Sequence, residues 1–147
     1  MKRKDILQQI IKMQTETIEN LKRSVEDYRT AADLDEESTH DPEDFSHQNE
    51  AKDMQLRFEK SMNSAIQNLQ FLEEEIEKTH DEVENGSLIE TDKNYLFIGV
   101  STPVFQIDGK EVVSFSDDAP VFENIKGKNI GDQVVIGDQK LTIQSIS

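Results

Sequence analysis

Two heptad series run through the first half of this chain, and they match each other when laid antiparallel. In the first stretch Leu7, Gln14, Leu21 and Tyr28 recur every seventh residue, as do Lys4, Ile11, Ile18, Val25 and Ala32. In the second, Ala51, Phe58, Ala65, Leu72 and Thr79 form one series, and Gln55, Met62, Leu69, Ile76 and Val83 form the other. Such spacing makes an apolar seam that another helix must cover, with Lys4 and Gln14 as polar members of the first seam. Neither stretch contains an internal glycine or proline, so nothing interrupts helix formation. Antiparallel pairing sets Val25 opposite Phe58, Leu21 opposite Met62, Ile18 opposite Ala65, Ile11 opposite Leu72 and Leu7 opposite Ile76. That register puts the fold-back near residues 41–42. Local chemistry agrees: Asp41 is a good N-cap, Pro42 suits the first helical position, and Asp44 sits where a capping-box acid belongs. The expectation is a helical hairpin with roughly 30 residues per arm, a rod about 45 Å long at 1.5 Å rise per residue. The seam residues speak to architecture and carry no chemistry.

Composition fits a rod joined to something small. Of 147 residues, 34% are hydrophobic and 32% charged, too polar for one large core. There is no cysteine, which excludes disulfides and thiolate metal sites. The basic start Met1-Lys2-Arg3-Lys4 is followed by Asp5, Gln8, Gln9 and Lys12, so it opens no apolar signal core, and no stretch resembles a membrane span. A soluble cytoplasmic protein is expected. The formal net charge is −15; residues 1–85 hold 11 Lys/Arg and 22 Asp/Glu, residues 86–147 hold 5 and 9. A field of this sign repels nucleic acid phosphates, so direct nucleic acid binding is disfavoured, and basic protein surfaces or cations are the expected partners.

Asn85-Gly86-Ser87 carries a left-handed stop signal, and the pattern then changes to short strands. Expected strands are Ser87–Glu90, Tyr95–Val100, Val104–Ile107, Lys110–Phe115, Gln133–Ile136 and Lys140–Ile146. Asp108-Gly109 and Gly137-Asp138 supply hairpin turns, and Pro120 starts a short helix ending near Ile125. The predicted fold is therefore α+β: a coiled-coil hairpin over 1–85 and a small antiparallel β domain with one short helix over 86–147.

Between Arg29 and Lys52 there is no lysine or arginine, yet the interval holds Asp33, Asp35, Glu36, Glu37, Asp41, Glu43, Asp44 and Glu50. Like charges this crowded repel one another. Three readings are open. The run is a solvated loop that keeps the rod soluble. It is a calcium loop, against which stand the missing Asp-x-Asp-x-Asp-Gly spacing and central glycine. Or it donates carboxylates to a magnesium ion in another protein's active site, which needs only one or two of them.

The segment Phe115-Ser116-Asp117-Asp118-Ala119-Pro120-Val121-Phe122-Glu123-Asn124-Ile125-Lys126-Gly127-Lys128-Asn129-Ile130-Gly131-Asp132-Gln133-Val134-Val135-Ile136 resembles the C-terminal signature of the GreA/GreB transcript cleavage factors. In that family a strand end leads to Ser-Pro, a short apolar helix, Gly-Lys, Gly-Asp and a final hairpin. Here Ala119-Pro120 stands for Ser-Pro, while Gly127-Lys128 and Gly131-Asp132 match. Gly86-Ser87-Leu88-Ile89 and Tyr95-Leu96-Phe97-Ile98 also look like the start of that domain. The resemblance covers residues 86–147 by motif and 1–85 by architecture.

It implies an FKBP-like domain that docks on the rim of the RNA polymerase secondary channel through an exposed strand edge and the Pro120–Lys128 segment (Pro120, Val121, Phe122, Gly127, Lys128). The hairpin would enter the channel as a monomer. Tip carboxylates would help hold a weakly bound magnesium shared with polymerase, and no tightly bound cofactor is implied. The chain is then a cleavage-stimulating factor and not an enzyme in its own right. From the register, Asp41, Glu43 and Asp44 lie at the apex and are the metal-facing candidates, with Glu36 and Glu37 about a turn back and Asp33 further still. The tip departs from the family's Asp-Leu-x-Glu-Asn. Asp33-Leu34-Asp35-Glu36-Glu37 has Glu37 in place of Asn, and Asp44-Phe45-Ser46-His47-Gln48-Asn49 has His47 where Glu is expected. A Gre-like channel binder that inhibits or modulates without stimulating cleavage is thus an alternative, as is an acidic coiled-coil adaptor outside transcription. A prolyl isomerase is suggested only by the implied fold.

His40 and His47 flank the turn and read as ordinary loop histidines. His80 is expected on a polar helix face in solvent. Phe105, Phe115 and Phe122 are expected in the core, with Phe122 also a docking candidate. No Ser/His/Asp set, phosphate loop or zinc spacing is present.

Overall fold

The computed structural model describes the backbone of residues 2–38 and 42–147, and the side chains of 2–27, 29–30 and 50–147. Two helices open the chain: α1 (Lys2–Ser38) and α2 (Pro42–Glu75). Six strands and one short helix follow: β1 (Leu88–Thr91), β2 (Asn94–Ile98), β3 (Phe105–Ile107), β4 (Lys110–Phe115), α3 (Pro120–Ile125), β5 (Gln133–Ile136) and β6 (Gln139–Ile146). The class is α+β.

The chain divides into two compact units. One is Lys12–Gln70; the other joins Met1–Ile11 to Phe71–Ser147. In the first unit Val25 and Ala65 are buried, at 4% and 6% exposure, and Ile18, Leu21, Phe58, Met62 and Leu69 are half-buried. α1 and α2 touch there through Gln14 Nε2, which donates to the Ala65 carbonyl at 2.9 Å, and through an Arg29–Glu59 ion pair at 3.4 Å. The two contacts have opposite sequence sense along the helices, as antiparallel neighbours require. Gln14 is buried, so its amide needs the carbonyl it finds. The exposed Arg29–Glu59 pair contributes little.

The second unit is a sheet of strand order β3-β4-β2-β1-β6-β5. It departs from the all-antiparallel expectation at one place: β2 and β4 run parallel, pairing Tyr95 with Val112 and Phe97 with Ser114. The reason lies in the Asp108-Gly109 turn. Both residues take positive φ, 54° and 81°, the geometry of a tight hairpin, so β3 and β4 must be antiparallel neighbours. β4, not β3, lies against β2, and β3 is left at the edge. β2 is buried along its whole length, as a central strand covered on both faces should be. Tyr95 and Phe97 face one cluster with Ile6, Leu7, Ile10 and Leu72; Leu96 and Ile98 face the other with Ile125, Val134, Leu141 and Ile143. The first turns of α1 and the last of α2 are therefore part of the β domain's core, which draws on residues either side of 85–86.

The second helical stretch stops short of the expectation. The heptad positions continue to Val83, but α2 ends at Glu75 and residues 78–87 are non-helical. Arg3 accounts for the difference. Its guanidinium donates to the carbonyls of Glu75 (2.8 Å), Lys78 (2.7 Å), Gly86 (2.7 Å) and Ser147 (3.0 Å), and to Glu75 Oε2 (3.1 Å). The Glu75 carbonyl also accepts from the Lys78 N–H at 2.9 Å in a tightened last turn, and a continuing helix would carry Gly86 away from the guanidinium. Val83 instead joins the cluster around Leu96 and Ile125. His80, expected in solvent on a helix, is off the helix and 12% exposed, with Nε2 2.7 Å from Glu75 and Nδ1 2.6 Å from Glu84. Burial pulls the Arg3 guanidinium below its ordinary value, while Glu75 opposes that shift.

Gly86 closes this cluster. Its φ is +98°, and a Cβ there would lie 2.5 Å from Glu75 Oε2. Gly86→Ala is expected to cost about 2–3 kcal/mol, from the left-handed backbone and displacement of the buried carboxylate. Urea unfolding followed by circular dichroism measures it, with Gly109→Ala as the comparison. Gly109 also has positive φ but open space beside it, so backbone strain alone should appear there.

Candidate functional site

The residues chosen from sequence fall in two places. Asp33, Asp35, Glu36 and Glu37 belong to the end of α1, and Glu43 and Asp44 to the first turn of α2. Their side chains, with those of His40, Asp41 and His47, lie outside the described residues. At backbone level, α1 ends at Ser38 and α2 begins at Pro42, so the proline takes the first helical position, where its missing N–H costs nothing.

The second place is α3 and the loop after it. Pro120 follows the Ala119 N-cap, whose extended φ and ψ of −71° and 144° suit a residue preceding proline. Ile125 is the buried anchor of this helix at 0% exposure. Val121 and Phe122 are half-buried and pack against the same cluster, so Phe122 is divided between core and surface. Phe115 is buried at 7%, whereas Phe105 is only half-buried on the edge strand. Lys126 sits over the Phe122 ring at 5.9 Å. Gly127 turns the chain with φ +79° and exposes Lys128 beside it. Asp132 Oδ2 accepts from the Asn129 N–H at 2.8 Å, which fixes the loop that carries the Gly131-Asp132 pair. Gly131 N–H donates to the Ile143 carbonyl at 2.8 Å and ties this loop to β6. Ile130 and Val135, both more than half exposed at 62% and 54%, continue the surface toward the sheet edge at β5. Glu82, Val83, Lys126, Gly127, Lys128 and Asn129 line a depression of about 360 Å³ beside α3. What this arrangement offers is a half-exposed aromatic, two lysine ammonium groups and an open strand edge.

The geometry that sequence reading does not reach is at Arg3, Glu75 and His80. Arg3 stands in a basic start with three other residues, and nothing in such a run singles out the guanidinium. Comparisons with family models, with curated proteins and with solved structures gave no match. Among the described residues, no helix is long and apolar enough to cross a membrane.

Proposed function

We propose that this chain is a Gre-type factor that binds in the RNA polymerase secondary channel and acts on the polymerase active-site magnesium. The observation that carries the reading is the run of carboxylates between Arg29 and Lys52, free of lysine and arginine, placed where one long helix ends and another begins. A second support is the order of the motifs after it: Ala119-Pro120, Gly127-Lys128 and Gly131-Asp132 fall on α3, its exit turn and the entry to β5. In this reading α1 and α2 form an antiparallel coiled-coil hairpin, and the strand domain is FKBP-like. Asp41, Glu43 and Asp44, with Glu36, Glu37 and Asp33 behind them, bring oxygen ligands to a magnesium that polymerase already holds in part. A second metal of this kind activates water for attack on the phosphodiester and stabilises the leaving oxygen. Polymerase supplies the bond-breaking site; the factor supplies charge and position.

The test is 3′ cleavage in backtracked elongation complexes assembled with cognate polymerase. The chain should accelerate release of the 3′ fragment, and polymerase affinity should fall about tenfold in a Phe122→Ala/Lys128→Glu double variant read by competition binding. The full chain is the right reagent, because residues 86–147 alone would lack Ile6, Leu7, Ile10 and Leu72 from their core. His47, standing where the family carries Glu, favours a second reading in which the chain occupies the channel and slows transcription instead. Tight binding without accelerated cleavage would select it. Absence of polymerase binding would leave the acidic coiled-coil adaptor.

A further inference from the structure

One cleft in the β domain has a charge opposite to that of the chain as a whole. It measures about 440 Å³, within the range of small-molecule sites, and is built from the start of α1, the segment after α2, and strands β1, β2 and β6. Its rim carries Lys2, Lys4 and Lys78, and its lining includes Ile76, Leu88 and Ser145. Arg3 also borders it but is spent on Glu75 and four backbone carbonyls. The side-chain carboxylates in the lining are Glu77 and Glu90. Glu90 pairs with Lys110 at 3.3 Å, and its charge and that of nearby Asp108 also act on Lys2, so the four basic side chains of the lining exceed its two acidic ones without being unopposed. Among the described residues Lys2 and Lys4 make no ion pair, and Lys78 reaches Glu75 only at 3.7 Å with 57% of its side chain exposed. The Lys2 ammonium rests over the Tyr95 ring at 5.6 Å, which holds it at the opening.

The chemistry selects among anions. The one guanidinium is engaged, so no free planar fork remains for bidentate carboxylate recognition. Lysines act as point charges and suit a tetrahedral dianion that accepts from several directions. A polyanion such as nucleic acid would meet the field of a chain carrying −15, whereas a small ligand inside the cleft, within the Debye length of about 8 Å, responds to the local lysines. The geometry points to a binding site for a small phosphomonoester, its phosphate on Lys2, Lys4 and Lys78 and its organic body against the half-buried Ile76.

The experiment uses the full chain, uniformly labelled, with amide spectra recorded during titration with adenosine monophosphate, adenosine and inorganic phosphate. Adenosine monophosphate should move the amides of Lys78, Leu88 and Ser145 in a saturable way, with adenosine silent and inorganic phosphate at least several-fold weaker. Lys4→Gln and Lys78→Gln should each weaken adenosine monophosphate about tenfold, one charge-assisted hydrogen bond apiece. Lys4 is exposed and makes no ion pair among the described residues, so its variant keeps the fold even if Lys78→Gln loosens the Glu75 cluster. Equal response to adenosine, no effect of Lys4→Gln, or shifts centred on Lys126–Asn129 would each overturn the assignment.

Discussion

Arg3→Ala should lower the unfolding free energy by about 3–5 kcal/mol, the range for removing one member of a buried ionic cluster. Most of that cost falls on carbonyls. Glu75, 4% exposed, would still have His80 at 2.7 Å and Lys78 at 3.7 Å. The part-buried carbonyl of Lys78 and the buried carbonyl of Gly86 would lose the Arg3 donor, and a buried acceptor left without a partner costs about 1–3 kcal/mol. The Glu75 carbonyl loses one of two donors, since it accepts from the guanidinium at 2.8 Å and keeps the Lys78 N–H at 2.9 Å. Arg3→Lys should recover less than half of the deficit, because one ammonium cannot span four carbonyls on separate segments. Urea unfolding gives the number. The contrast is Arg29→Ala, which breaks a pair whose arginine is 52% exposed and should change stability by less than about 0.5 kcal/mol. A loss below about 1 kcal/mol at Arg3 would mean that the packing of Ile6, Leu7 and Ile10 alone seats the start of α1 on the sheet.

Much of the fold is legible in the sequence because its signals are local or periodic. Heptad spacing marks both long helices, Pro42 and Pro120 mark two helix starts, and Asp108-Gly109 marks a hairpin whose positive φ values require that pair. What is not legible is settled by contacts distant in sequence. The parallel β2–β4 pairing depends on which strand of a hairpin faces inward, a choice made by burial on both faces of β2 and not by any residue within it. The end of α2 is hidden because the heptad continues through Ile76, Thr79 and Val83, while an arginine over 70 positions away takes the helix's terminal carbonyl. His80 follows from the same cause, since a helical period puts it in solvent and the actual chain path puts it between two carboxylates. For the candidate site, residue types single out the acidic run, whose side chains lie outside the described residues, and the segment around α3. The cleft is not, because its lysines come from the start of α1 and the exit of α2 and meet only through the sheet.

If the chain acts as proposed, replacing Asp41, Glu43 and Asp44 together by alanine should abolish stimulated RNA cleavage while polymerase affinity falls little. Register decides which acids matter. α2 begins at Pro42, so Glu43 and Asp44 belong to its first turn and Asp41 immediately precedes it. α1 ends at Ser38, which sets Glu36 and Glu37 in its last turn and Asp33 more than one turn earlier, at about 1.5 Å per residue. In the proposed reading, a magnesium beyond the ends of the two helices is met first by Asp41, Glu43 and Asp44, with Asp33 further back along α1 in sequence. Taking one carboxylate ligand away from a bound ion is expected to cost about 1–3 kcal/mol, or ten- to hundredfold in rate, so removing three should take cleavage to its intrinsic level. Affinity should persist because docking is assigned to Phe122, Lys128 and the β5 edge, on residues the substitution does not touch. The measurement is single-turnover cleavage in backtracked complexes beside competition binding for the same variants, with Asp33→Ala/Glu36→Ala as the comparison. Full activity in the triple variant with loss in the double would move the tip to Asp33-Leu34-Asp35-Glu36-Glu37 and shift the inferred turn toward α1. Full activity in both would return the acidic run to a solvating role and take the magnesium out of the proposal.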